Sequence, residues 1–194
     1  MSGEVRIGLA STATVRLRFE EICELYDEAF SAAPFYWRDD ESRLHRQRLE
    51  SLLADPSFGA ALAFREDTLI GFAYGFALKP DTSWWSGLTP PVPDDEANEW
   101  PGRTFVLFDF AVRRDQRGQG VGHGLHDLLL GNRPESRATL ATQPAAAETK
   151  GLYERWGWRL IGQAKGGPQA AAPLFDIYRR DRIDDLNAGQ PSSR

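Results

Sequence analysis

A chain of 194 residues with 41% hydrophobic and 26% charged residues lies within the ordinary globular range and is long enough for one sizeable core, so a single domain is the default. A net charge of −5 argues against a general nucleic-acid binder, which needs a positive field to neutralise phosphates, and instead favours a cationic small substrate. The longest mostly apolar stretch, Leu69 to Leu78, is about half of the roughly 20 residues of a spanning helix, and no secretory leader pattern opens the chain. The expectation is therefore a cytoplasmic protein with neither nucleic-acid nor membrane partners.

Along the chain, Glu4 to Leu9 reads as a first strand, and Ile22, Leu25, Tyr26, Ala29 and Phe30 recur at helical spacing within a helix from about Val15 to Phe30. Cys23 falls in this amphipathic pattern and reads as a buried structural thiol. Pro34 breaks the pattern, and Leu44, Leu49, Leu52 and Leu53 mark a second helix from about Asp40 to Ala54. The apolar runs Gly59 to Arg65 and Thr68 to Leu78, separated by Glu66 and Asp67, read as a hairpin. Residues 79–103 show no periodicity and hold several prolines and tryptophans, with Asp94, Asp95, Glu96 and Glu99; a loop this long inside a compact domain is more often functional than a short one. Chain order resumes with a strand from Thr104 to Val112, a glycine-rich turn, a helix carrying Leu125, Leu128, Leu129 and Leu130, and a strand from Arg137 to Thr142. A helix from about Ala145 to Trp156, strands from Trp158 to Ala164 and from Ala172 to Arg179, and a polar tail over residues 183–194 expected to be disordered complete the pattern. His45, His123 and His126 have no metal-binding spacing, so no metal site is expected.

Glycine recurs at positions 118, 120, 122 and 124 where a strand turns into a helix. Glycines let backbone N–H groups converge, and the first helical turn adds unpaired donors and the positive end of the dipole, which together suit a phosphate. No lysine follows in the Walker spacing, and the dinucleotide fingerprint fails because His123 or Leu125 stands where its last glycine belongs. A turn that merely lets helix and strand pack closely is the competing structural reading. The pattern Arg117, Gly120 and Gly122 resembles the pyrophosphate loop of the GNAT superfamily of N-acetyltransferases. Leu152-Tyr-Glu-Arg-Trp-Gly-Trp resembles the Leu-Tyr-Glu-x-x-Gly-Phe segment near the end of GNAT domains, with Trp158 in place of phenylalanine. The order β-α-α-β-β-β-α-β-α-β-β is also similar.

The resemblance implies an α/β (α+β) fold, with a mixed, mostly antiparallel sheet, splayed central strands and four flanking helices, over residues 4–182 with an insertion at about 79–103. It implies acetyl-CoA as co-substrate, with Phe110, Ala111 and Val112 bonding the pantetheine arm through their backbone, and Arg117, Gly118, Gln119, Gly120, Val121, Gly122 and His123 holding the pyrophosphate. Tyr153 would face the thioester sulfur, contacting the coenzyme and donating a proton to the leaving thiolate. Asp109, an acid within an apolar strand, is the candidate base, with Glu148 and the loop acids as rivals. The family often has asparagine seven residues before the tyrosine, whereas this chain has Ala146. The acceptor, a small-molecule amine, would meet Phe35, Tyr36, Trp37, Trp84 and Trp85, unless these rings only cover a core edge. The alternative function is a non-catalytic acyl-CoA-binding sensor of the same fold; a homodimer is left open.

Overall fold

The computed structural model describes residues 3–183, 185 and 186; most of the tail expected to be disordered lies outside the described residues. Helices α1 (Thr12–Leu17), α2 (Phe19–Phe30) and α3 (Glu41–Leu52) follow strand β1 (Val5–Ala10) and precede the hairpin β2 (Gly59–Arg65) and β3 (Thr68–Ala77). After the short helix α4 (Asp94–Ala97) come β4 (Thr104–Val112), a 3₁₀ turn (Arg114–Gln116), α5 (Val121–Gly131), β5 (Arg137–Thr142), α6 (Ala147–Arg155), β6 (Arg159–Lys165) and β7 (Leu174–Asp181). The seven strands form one open sheet in the order β1-β2-β3-β4-β5-β7-β6, antiparallel throughout except for the parallel pair β4 and β5.

Among the described residues, six α-helices flank this sheet rather than the four expected. One of the two additional helices is α4, inside the insertion. The other arises because the expected first helix starts earlier and breaks once: Ser11 caps α1 by accepting from the Thr14 N–H at 3.1 Å, and Arg18, at φ −103° and ψ 18°, separates α1 from α2.

Period-two alternation distributes the sheet's side chains between its two faces, and a separate cluster joins Val106 and Ile177 to Trp85 and Leu88 of the insertion. Ala61, Ala63, Ile70 and Ala73 pack with Leu125, Leu129 and Leu130 of α5, whereas Ala60, Leu62, Leu69 and Phe72 pack with Ile22, Leu25 and Leu49 of α2 and α3. Ile183 is also buried in the α5 core, so core packing extends past the end of β7.

The insertion is anchored to β5 by a buried ionic centre. One oxygen of Glu99 accepts from Arg137 at 2.7 Å, from Thr104 Oγ1 at 2.8 Å and from the Trp85 indole at 2.9 Å. Backbone hydrogen bonds between Thr89 and Gln163, both 2.9 Å, tie the same segment to edge strand β6. Glu99→Ala would leave the Arg137 guanidinium buried without its counter-ion, a loss of about 3 kcal/mol or more. The melting temperature is expected to fall by roughly 6–12 °C. A fall of under about 2 °C in a calorimetric scan would show that this centre does not anchor the insertion.

Candidate active site

Strands β4 and β5 pair only over Thr104↔Arg137, Phe105↔Ala138 and Val106↔Thr139, after which they part. The free edge of β4 beyond Val106 faces this gap. Arg113 N–H donates to Ile70 O at 2.8 Å, so strand alternation directs the backbone groups of Ala111 to β3 and those of Phe110 and Val112 to the gap. Ala111 is therefore not available as a backbone partner there, contrary to expectation. The Val112 carbonyl is also engaged, accepting from Arg117 Nε at 3.0 Å.

A bulge in β4 decides where Asp109 points. Tyr74 pairs with Asp109 but Gly75 pairs with Leu107, leaving Phe108 as the extra residue. A Cβ on Gly75 would lie 1.7 Å from Val106 O, so glycine alone permits this approach. Phe105 and Leu107 face the α5 core, and strict alternation would send Asp109 there too; the bulge turns it to the opposite face, beside Tyr74.

There Asp109 Oδ2 accepts from the Tyr74 hydroxyl at 2.5 Å, and the Tyr74 oxygen lies 2.8 Å from His45 Nε2. Only 14% of the Asp109 side chain is exposed. Burial raises its pKa to about 6, against the lowering effects of the Tyr74 hydrogen bond and the Arg48 charge. A carboxylate so placed accepts a proton near neutral pH. Tyr153, on α6, is 7% exposed and packs edge-on against Trp158 at 5.9 Å. Burial, and then the charge of Asp109, raise the pKa of its hydroxyl, which makes no hydrogen bond among the described residues. Tyr153 thus stays protonated and free to donate.

At the glycine-rich turn, Gly118 (φ +74°) and Gly120 (φ +82°) take the left-handed conformation, and a Cβ at either would meet open space. Gly120 is the N-cap of α5, whose first turn carries no acid. The N–H groups of that turn lack intrahelical acceptors, and with the dipole they form an anion cradle that fits the pyrophosphate of a coenzyme.

A single cavity of about 820 Å³ joins these parts. It is lined by Arg117, Gly118, Gly120, Gly122 and His123 at the turn, by Phe110, Ala111 and Val112 along the strand, and by Asp109, Tyr153, Glu148, Phe35 and Trp84 beyond. Trp84 sits where the strands part, its indole donating to Thr139 Oγ1 at 3.1 Å.

Several other expected side chains do not line the main cavity. The Val121 side chain is buried in the α5 core and that of Gln119 accepts from Arg65 at 3.0 Å, so these two residues serve the turn through their backbone alone. Trp85 is a core residue bound to Glu99, because its indole N–H needs a buried acceptor. Trp37 packs in the α2–α3 core, and Tyr36 is 54% exposed; both border a second, shallower hollow against residues 166–173. Of the rival acids only Glu148 lines the main cavity. Sequence reasoning missed Tyr74 and His45, which lie on core faces, and the apolar wall of Ala141, Ala164, Phe175 and Ile177. The alternation of β5 to β7 carries no mark that one face of these strands borders a cavity rather than packed core.

The Acetyltransferase (GNAT) family model matches residues 19–158. The chain belongs to the GNAT acetyltransferase family. No curated protein sequence gives a significant match. Solved structures similar to this GNAT chain include the ribosomal-protein-S18-alanine N-acetyltransferase from Escherichia coli, at 15% identity and TM-score 0.59, covering 92% of this chain and 94% of that one. The aminoglycoside 6′-acetyltransferase type Ii has 16% identity and TM-score 0.60, covering 91% and 96%. Arabidopsis thaliana Naa50, solved with the bisubstrate analogue CoA-Ac-MVNAL, has 12% identity and TM-score 0.58, covering 91% and 98%. At these identities the likeness shows a shared fold. Among the described residues of this GNAT chain, no helix is long and apolar enough to cross a membrane.

Proposed function

We propose that this protein transfers the acetyl group of acetyl-CoA to the primary amine of a small molecule. The observation that carries this reading is the single cavity running from the anion cradle, along the free edge of β4, to Asp109 and Tyr153. Acetyl-CoA supplies the thioester; the chain supplies the rest. The turn at Gly118 to His123 binds pyrophosphate, and the backbone of Phe110 and the Val112 N–H bond the pantetheine arm. N–H donors on this edge also stabilise negative charge developing on the thioester carbonyl oxygen. As the amine nitrogen bonds to the acetyl carbon, Asp109 takes its proton; as the carbon–sulfur bond breaks, Tyr153 gives one to the thiolate.

The acceptor end suits a cation on an apolar body, since Phe30, Phe35, Trp84 and Phe108 line it together with Asp109 and Glu148. Gly166, Gly167, Ala170 and Ala171 add to the cavity wall, in a segment held by Arg38, which donates to Pro168 O at 2.8 Å, and by Arg48, which donates to Gln169 O at 3.0 Å. This additional wall supports a small acceptor rather than a polypeptide. The unpaired, buried Cys23 accords with work in the cytoplasm.

Release of free thiol, measured over a panel of polyamines, aminoglycosides, amino-acid derivatives and a peptide amino terminus, tests this reading. Turnover is expected with a small amine and not with the peptide. Coenzyme binding by calorimetry with no release from any amine would instead identify a binding module. The pH dependence adds a second check. Below its pKa of about 6 the Asp109 carboxyl is protonated and cannot act as base, so kcat/KM should rise with pH through a limb near 6. Asp109→Asn should lower kcat/KM at neutral pH and remove that limb. A limb that survives in the variant belongs to another group.

A further inference from the structure

Tyr74 and His45 have no role in binding the coenzyme or in the two proton transfers, yet they are placed in the core behind Asp109. Both are fully buried, where phenylalanine and leucine would fill much the same space without polar atoms to satisfy. Ionised Asp109 can only accept, so the 2.5 Å contact requires the Tyr74 hydroxyl to donate to Oδ2. The Tyr74 oxygen then has only lone pairs for His45, and the 2.8 Å contact requires Nε2–H to donate. Direct contact between His45 Nε2 and Asp109 Oδ2 is longer, at 3.7 Å, so Tyr74 is the link. His45 Nδ1 is left buried without a partner among the described residues, and the ring stacks face to face on Tyr26 at 3.6 Å. Asp109 Oδ1 has no hydrogen bond among the described residues and is not among the buried unpaired atoms, so it is the oxygen reachable from the cavity.

We propose that Tyr74 and His45 are positioning residues for Asp109: the chain from His45 Nε2–H to Tyr74 Oη–H to Asp109 Oδ2 holds the carboxylate so that Oδ1 takes the amine's proton. The proposal rests on Asp109 being the base. Around this chain stand His45, Arg48 and Glu41 from α3, Cys23 and Tyr26 from α2, Tyr74 from β3 and Tyr153 from α6. Burial, with the charges of Arg48 and Arg46, holds the His45 pKa down at about 3, so the ring stays neutral and a proton on Asp109 goes no further along the chain. Arg48 itself is occupied by Glu41 and Tyr26, which keeps this cation beside Asp109. The chain therefore orients the base and favours its ionised form; it does not carry protons away.

Two readouts of the full-length protein test this: titration of the Asp109 carboxyl by carbon-13 NMR, assigned with Asp109→Asn, and the pH profile of kcat/KM. Tyr74→Phe removes the donor to the ionised carboxylate, so the titration midpoint and the rate limb should both move up by about one pH unit or more. His45→Leu should move both in the same direction by less, and His45→Gln, which retains an N–H donor, should move them back toward wild type. Thermal melting and acetyl-CoA affinity establish that each variant is folded; if Tyr74→Phe does not fold, the two His45 variants decide the matter. An unmoved titration midpoint in the folded variants overturns the proposal. A midpoint that moves while the rate limb stays shows instead that Asp109 is not the base, which removes the reading underneath.

Discussion

Tyr153→Phe is expected to lower kcat by on the order of 100-fold, with acetyl-CoA affinity little changed. The substitution deletes one hydroxyl and keeps a ring held between Trp156, Trp158 and Tyr178 at centroid distances of 6.2, 5.9 and 6.4 Å. That hydroxyl spends no hydrogen bond on the described residues, and burial keeps it protonated across the working range. A general acid that loses its proton donor raises the barrier by about 3 kcal/mol, since each tenfold in rate is about 1.4 kcal/mol. If Tyr153 only packs beside the coenzyme, the ring suffices and kcat should stay within a factor of two or so. Single-turnover rates distinguish these outcomes because product release cannot mask the chemical step. A variant retaining most of its single-turnover rate would remove Tyr153 from the acid role while leaving the fold and the anion cradle intact.

Gly120→Glu should weaken acetyl-CoA binding by roughly 100-fold or more. Three effects act together. A carboxylate enters the place prepared for pyrophosphate, so attraction from the helix dipole is opposed by a like charge. The side chain projects into space that is open beside Gly120, which is the volume the anion would fill. Residue 120 must also keep φ near +82°, a conformation that costs a side chain about 1 kcal/mol and would loosen the cap of α5. Gly120→Ala separates these terms, since it carries the backbone strain and a single methyl without the charge. Titration calorimetry should therefore rank wild type above the alanine variant and both well above the glutamate variant. Equal affinity in a folded Gly120→Glu protein would show that the turn does not hold the pyrophosphate.

What the sequence by itself determined about this GNAT protein is whatever local spacing encodes. The runs Thr104–Val112 and Arg137–Thr142 are strands with the bounds their apolar patterns predict, and the glycines at 118 and 120 sit in the turn that opens α5. Both features depend on neighbours within a few residues, as does the helix carrying Tyr153. The tertiary structure decided which of the legible residues share a cavity. Trp84 and Trp85 are adjacent and alike in sequence, yet one reaches the gap between β4 and β5 and the other goes inward to Glu99, because their indoles find different acceptors. Asp109 is conspicuous in an apolar strand, but its direction depends on a bulge that exists only through the pairing of β4 with β3. Its partners come from distant chain: Tyr74 is 35 residues away, and His45 a further 29 from Tyr74. In the sequence both look like ordinary members of amphipathic elements. Side-chain chemistry and periodicity are local properties; hydrogen-bond partnership inside a core is a property of which faces meet, and only the folded sheet brings those faces together.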